Sequence, residues 1–169
     1  MGTMINHYES LLADHYSWLF GGLEMKCQEN QNFFNSNNIQ PIANGKAIDL
    51  GCGSGFQSIP LAQIGFNVTS IDLSPKLLAE LSKNKGDLPI TTINDDLNNF
   101  HRHCTENVEL IVCMGDTLTH LETKNHVRQL FEKVYNHLEK EGEFIVTYRD
   151  LSFELKELER FIPVNSDDT

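Results

Sequence analysis

The sequence predicts an α/β domain in which a parallel sheet carries helices on both faces. Three observations lead there. Between Lys46 and Tyr148, short apolar strands alternate with helical stretches, the rhythm of a parallel sheet with crossover helices. The strand Val108 to Met114 is a largely apolar run, as expected for a strand covered on both sides. Finally, Asp49-Leu50-Gly51-Cys52-Gly53-Ser54-Gly55 puts three glycines just after the first strand, and folds of this type receive ligands at the carboxyl ends of their strands.

The elements follow in order. Tyr8, Leu11, Leu12, His15 and Leu19 recur at helical spacing, with Trp18 and Phe20 beside them. They predict one or two short helices, broken at Gly21-Gly22. A second helix is expected from Glu24 to Phe34, and Pro41 with Asn44-Gly45 marks a turn. Lys46 to Leu50 reads as a strand. Ser58 to Ile64 reads as a helix, with Pro60 tolerated in its first turn and Gly65 as its stop. Asn67 to Ile71 is a second strand. Ser74 is an N-cap with Pro75 at the first helical position, opening a helix to Lys85. Ile90 to Asn94 is a third strand, followed by a polar segment through Thr105. After the strand Val108 to Met114 come a helix from Lys124 to Glu139, a strand from Gly142 to Tyr148, and a helix from Phe153 to Phe161 that Pro163 ends. The expected organisation is a helical lid over residues 1–40 and a ligand-binding domain over residues 41–169.

Bulk properties narrow the partners. The formal net charge of −11 over 169 residues repels phosphate backbones, so nucleic acid is not the expected substrate. No apolar run reaches the roughly 18 residues of a bilayer span, so no membrane partner is expected. The start, Met1 to Tyr16, lacks the basic head and apolar centre of a signal peptide. Cys27, Cys52, Cys104 and Cys113 have neither CxxC spacing nor paired histidines. Disulfides and a metal are therefore not expected, and the cytoplasm is the expected compartment.

The glycine turn discriminates between cofactors. A dinucleotide turn reads GxGxxG and sets pyrophosphate on a helix N-terminus. Here the spacing is GxGxG, Phe56 stands where the third fingerprint glycine would be, and Asp49 lies two residues before the first glycine. A carboxylate there repels pyrophosphate and suits a cationic ligand. A tight strand–helix turn without a ligand is the plainer alternative. In this segment the chain resembles the class I S-adenosylmethionine-dependent methyltransferases, whose first motif Asp49-x-Gly51-x-Gly53-x-Gly55 matches in full. The resemblance covers residues 43–150. It implies a Rossmann-like sheet, S-adenosyl-L-methionine as cofactor and S-adenosyl-L-homocysteine as product. It also implies that the glycine turn underlies the methionine part, with Asp49 near its amino group.

By the same resemblance, Asp72 at the end of the second strand accepts hydrogen bonds from the ribose hydroxyls. A carboxylate suits two donors because it has only acceptors. Helix capping is the alternative role, but Ser74 already supplies that cap. In Asn94-Asp95-Asp96-Leu97, Asp96 aligns with the family's adenine-binding aspartate; Asp95 is its near rival, and either could cap the following turn. The implied cofactor set is Asp49, Gly51, Cys52, Gly53, Gly55, Asp72, Leu73, Asp95, Asp96, Leu97, Cys113 and Met114.

After the fourth strand, Gly115-Asp116-Thr117-Leu118-Thr119-His120-Leu121 resembles the same segment of small-molecule N-methyltransferases of the glycine type, which commonly carry Asn where Asp116 stands. The Asn/Asp-Pro-Pro-aromatic signature of enzymes that methylate nucleic acid amino groups is absent from that segment. Asp116 and His120 are the expected catalytic pair; for His120, packing on Leu121 is the alternative. Tyr16, Trp18, Tyr148 and Arg149 are the expected acceptor-binding residues. Arg149 could instead pair with Asp150, and the aromatics could be plain core.

The family sheet has seven strands and this sequence supplies five, so it reads as a fragment or a shortened variant. Its fifth strand is then an open edge, available for pairing with a second copy as a homodimer; the alternative is that the Phe153 to Phe161 helix folds back and covers it. Two function classes stand: methyl transfer to a small polar molecule, and cofactor binding without turnover. A nicotinamide-dependent oxidoreductase is disfavoured by the GxGxG spacing.

Overall fold

The computed structural model describes residues 16–148. Five strands form one sheet: β1 (Lys46–Leu50), β2 (Asn67–Asp72), β3 (Ile90–Asn94), β4 (Val108–Cys113) and β5 (Leu138–Val146). Their order is β3-β2-β1-β4-β5, and every neighbouring pair is parallel. The helices are α1 (Tyr16–Leu19), α2 (Leu23–Ser36), α3 (Ser58–Gln63), α4 (Pro75–Asn84) and α5 (Lys124–His137). Two 3-10 helices, Leu97–His103 and Thr117–His120, follow β3 and β4. No helix among the described residues is long and apolar enough to cross a membrane.

Side chains of a strand alternate between faces, and β1 divides accordingly. Ala47 joins a cluster with Phe34 of α2, Leu61 of α3, Leu78 and Leu81 of α4, and Phe66 just before β2. Ile48 and Leu50 join Phe100, Leu130 and Val134 on the other face, beneath the first 3-10 helix and α5. Every residue of β4 is buried, which accounts for its apolar run. Each fully buried Leu, Ile or Phe contributes roughly 1.5–3 kcal/mol relative to its exposed state, so these two layers set the relative positions of the strands. The strand order reverses between β1 and β4, and ligands of open parallel sheets bind at that switch point.

At the amino end of β4 the buried side chain of Glu109 reaches the turn before β1. It accepts backbone N–H bonds from Ala43 at 3.1 Å, Gly45 at 2.9 Å and also Ile42. Burial pushes its carboxyl pKa up, but the three N–H donors outweigh burial and the net shift is downward. The Pro41 to Gly45 turn is thereby pinned to β4.

The largest departures from the expected elements lie after β3 and at the junction of α5 with β5. The polar segment after β3, given no element in the sequence, contains the 3-10 helix Leu97–His103, capped by Asp96, whose Oδ1 accepts from Asn98 N at 2.8 Å. A polar run with apolar Leu97 and Phe100 three residues apart suits one 3-10 face. Helix α5 ends at His137 and not at Glu139, because Leu138 pairs with Val108. The ladder then breaks and resumes at Leu110–Glu143, with Glu141 at φ 70 inside the break. The expected strand from Gly142 is this resumed stretch. Ser74 caps α4 as expected, accepting from Leu77 N at 3.3 Å. The expected helix at Phe153–Phe161, the helical positions Tyr8 to His15, and Arg149 lie outside the described residues.

Candidate functional site

A cavity of about 520 Å³ opens at the carboxyl end of the sheet, within the usual range for small-molecule sites. Each strand delivers wall residues just past its end. They are Gly51, Cys52 and Gly53 after β1, Asp72 to Ser74 at the end of β2, Asp95 and Leu97 after β3, Met114 to Thr117 after β4, and Thr147 after β5. From the amino-terminal side come Tyr16, Phe20, Lys26, Glu29 and Asn30.

Glycine is required in the turn for a steric reason at two positions. Gly51 has φ 72, and a Cβ there would lie 2.2 Å from Thr117 Cγ2. The Thr117 side chain, from the turn after β4, therefore packs directly on the Gly51 backbone. Gly55 has φ 96, and its Cβ would lie 2.3 Å from Leu81 of α4. Gly55 thus serves helix packing and is not on the cavity wall.

The two strand-end acids occupy different places. Asp72 lies on the wall, half-buried. Its Oδ2 accepts from Gly53 N at 2.8 Å and its Oδ1 from Ser74 N at 2.8 Å, so one carboxylate ties β2 to the glycine turn. Asp49 lies beneath the turn at 1% exposure, off the wall. Its Oδ2 accepts from Ser58 Oγ at 2.6 Å, and Ser58 Oγ meets Ser70 Oγ at 2.7 Å. Burial raises the Asp49 pKa, the Ser58 hydrogen bond opposes it, and nearby Asp72 raises it further, leaving it at about 7. The structure thus separates Asp49 from the cavity and makes it part of a buried hydroxyl chain across β1, α3 and β2.

After β3 the neighbours Asp95 and Asp96 also separate. Asp95 is on the wall; Asp96 turns away as the cap described above. Asp95 accepts from Asn99 Nδ2 at 2.9 Å and pairs with His103 Nε2 at 2.8 Å, bonds that lower its pKa to about 2. It is held as a carboxylate at the rim.

Aromatic rings close the turn side. Tyr16 stacks on Phe56 with centroids 5.5 Å apart, and Phe20 lies 5.0 Å from Tyr16. Ser17 Oγ lies 2.9 Å from Ser54 Oγ and 2.5 Å from Glu80 Oε1, docking α1 onto the turn and α4. Trp18 and Tyr148 are exposed and off the wall. Across the cavity, Asp116 and His120 sit on the wall at either end of the second 3-10 helix. Met114 lines the cavity and Cys113 is buried behind it. Burial, and then Asp49, push the Cys113 thiol up to about 12, and the Cys52 thiol also rises, chiefly from burial. Neither is a nucleophile at neutral pH.

Of the expected site residues, the cavity unites Tyr16, Gly51, Cys52, Gly53, Asp72, Leu73, Asp95, Leu97, Met114, Asp116 and His120. It leaves out Asp49, Gly55, Asp96, Cys113, Trp18 and Tyr148. Sequence reasoning missed Lys26, Glu29 and Asn30 on α2, and also Gln57, Thr117 and Thr147. Thr117 was open to discovery, since a glycine turn needs a close neighbour; the α2 residues carry no motif.

Comparison with known proteins follows the same outline. A model of the family described as methyltransferase domain matches residues 47–142, more than half of the chain. The glycine/sarcosine N-methyltransferase of Aphanothece halophytica is 30% identical over 114 residues, covering 66% of this chain and 43% of that protein. The ubiquinone biosynthesis O-methyltransferase of Proteus mirabilis is 31% identical over 97 residues, covering 54% and 40%. The chain thus spans about two fifths of the length of the curated relatives it matches. Among solved structures, the magnesium protoporphyrin IX methyltransferase of Synechocystis PCC 6803, crystallised with bound SAM, superposes with a TM-score of 0.64. It is 20% identical, and the match covers 94% of this chain and 81% of that one. At that identity the likeness is one of fold.

Proposed function

Given that this chain belongs to the S-adenosylmethionine-dependent methyltransferase family, we propose that it binds S-adenosyl-L-methionine in the cavity at the sheet's carboxyl end. We propose further that it directs methyl transfer to a small polar molecule by in-line displacement. One observation carries the reading: the Gly51 to Gly53 turn and the Asp72 carboxylate form one wall of a cavity whose other wall bears Asp116 and His120.

The residues present fit the cofactor. The wall carries carboxylates at Glu29, Asp72, Asp95 and Asp116, which suit a sulfonium cation. In this reading Asp72, on the cavity wall, accepts hydrogen bonds from the ribose hydroxyls. Asp95, rather than Asp96, serves the adenine end with Leu97, while Leu73 and Met114 pack on the base. Asp49 acts from beneath, holding the turn through Ser58.

When bound, the sulfonium supplies an already activated methyl group, so the protein's part is alignment and exclusion of water. Asp116 and His120 orient the acceptor and take its proton if it must lose one. Tyr16 covers the turn. Arg149 remains a proposed clamp for an acceptor carboxylate. The relatives' names make glycine, sarcosine and an intermediate of ubiquinone biosynthesis the first acceptors to try. Parallel calorimetric titration with S-adenosylmethionine, S-adenosylhomocysteine and NAD tests the reading. Micromolar binding of the first two is expected, and binding of NAD alone would overturn it. Binding without methylation of any acceptor would leave the second class, a cofactor-binding module.

A further inference from the structure

The cavity wall is acidic, yet the proposed cofactor carries one group that an acidic wall repels: the α-carboxylate of its methionine part. Among the described residues, Lys26 is the only lysine or arginine on that wall. It stands on α2, a helix that packs against α3, and α3 begins just after the glycine turn. Its neighbour Cys27 packs against the cluster holding Cys52 and Ile59. Lys26 is therefore on the β1 side of the cavity, with Phe56 and Gln57, and not on the β4 side with Asp116 and His120.

The strand order decides which carboxylate reaches it. If the ribose meets Asp72 on β2 and the base lies toward β3, the amino-acid end extends over the β1 turn, and the acceptor lies beyond it at β4. We infer that the Lys26 ammonium is the counter-ion of the cofactor's α-carboxylate, with Glu29 as its partner until the cofactor arrives. Lys26 Nζ lies 2.6 Å from Glu29 Oε2, an i,i+3 pair whose glutamate is half exposed. Such a surface pair contributes little to stability, so exchanging it for a ligand carboxylate inside a cavity favours the bound state.

This inference rests on the proposed function, and the test separates the two. Affinities are measured by calorimetry on wild type and Lys26→Gln for S-adenosylhomocysteine and for 5′-methylthioadenosine, which keeps the adenosine and thioether but lacks the amino-acid group. Lys26→Gln should weaken S-adenosylhomocysteine roughly tenfold or more, the scale of a charge-assisted hydrogen bond, and leave methylthioadenosine unchanged. Glu29→Gln, which frees the lysine, should bind S-adenosylhomocysteine at least as tightly as wild type. If wild type binds neither ligand, the proposed function falls together with this inference. If wild type binds S-adenosylhomocysteine and Lys26→Gln binds it equally well, the Lys26 assignment alone falls. Unchanged S-adenosylhomocysteine affinity with a raised KM for a carboxylate-bearing acceptor has the same consequence, and assigns the lysine to the acceptor. Equal weakening of both ligands would also overturn it, by showing a loss unrelated to the carboxylate.

Discussion

The two ends of the sheet use the same chemistry for opposite purposes. At the amino end, Glu109 gathers three backbone N–H groups from the Pro41 to Gly45 turn and is buried with them. At the carboxyl end, Asp72 gathers two backbone N–H groups, from Gly53 and Ser74, and remains on a cavity wall. A carboxylate closed in by its donors joins chain segments; one that also faces a cavity is placed to meet a ligand. The distinction lies in whether the carboxylate faces a cavity, and it predicts that substitutions at the carboxyl end alter binding while those at the amino end alter stability.

The largest expected effect is at the carboxyl end. Gly53 has φ 52, and a Cβ there would approach Tyr16 Cε1 to 3.4 Å. Gly53→Val adds a branched side chain at a positive φ on the cavity wall. The strain costs roughly 1–3 kcal/mol of stability, and the blocked approach should remove measurable cofactor binding. A folded Gly53→Val protein, judged by circular dichroism, that still bound S-adenosylhomocysteine would break the comparison at its functional end.

Asp49 sharpens it, because it sits at the carboxyl end but acts from within. Its carboxyl ionises near pH 4 in an unfolded chain (about 3.9) and at about 7 when folded. Between those values the folded state keeps a proton that the unfolded state has lost. This contribution is therefore destabilising: absent below the unfolded value, growing as pH rises, and complete above about 7. Relative to Asp49→Asn, wild type should lose on the order of 2–4 kcal/mol of stability between pH 4 and pH 8. Urea unfolding at the two pH values measures this. A wild-type-to-variant difference that does not change with pH would mean that Asp49 is not buried as described.

At the amino end, Glu109→Ala leaves the N–H groups of Ile42, Ala43 and Gly45 without their acceptor. The expected loss is about 2–3 kcal/mol of stability, with cofactor affinity unchanged once the protein is folded. A variant of normal stability and weakened binding would reverse the assignment of the two ends.

How much of this was legible in the sequence follows from what each feature depends on. The strand–helix alternation and the Ser74-Pro75 start of α4 are local signals, and both reappear in the structure at the expected places. The GxGxG spacing pointed to the cavity because two of its glycines, Gly51 and Gly53, line it. Spacing could not tell that Asp49 faces α3. That follows from side-chain alternation combined with which helix covers which face, a fact of packing. Glu109 looked like an interruption in an apolar strand; its partners lie more than 60 residues away in sequence. Lys26 and Glu29 look like an ordinary solvated pair, and only the folding of α2 onto α3 brings them to the cavity.

The smallest effect is expected where two adjacent acids part ways. In the sequence Asp96 aligned with the adenine-binding aspartate, with Asp95 as its near rival. In the structure Asp96 accepts from Asn98 N and Asn98 Nδ2 at 2.8 and 3.1 Å, as a cap does, while Asp95 lines the cavity. Asp96→Ala should therefore cost about 1 kcal/mol of stability or less and leave S-adenosylhomocysteine affinity unchanged. Asp95→Ala should weaken that affinity by about 1 kcal/mol, since it removes a rim carboxylate that Asn99 and His103 hold in place. Calorimetry on the two variants under one set of conditions tests the pair. If Asp96→Ala binds less tightly than Asp95→Ala, the cap must turn toward the cavity when the ligand enters, and the division between structural and ligand-holding carboxylates would depend on ligand at this rim.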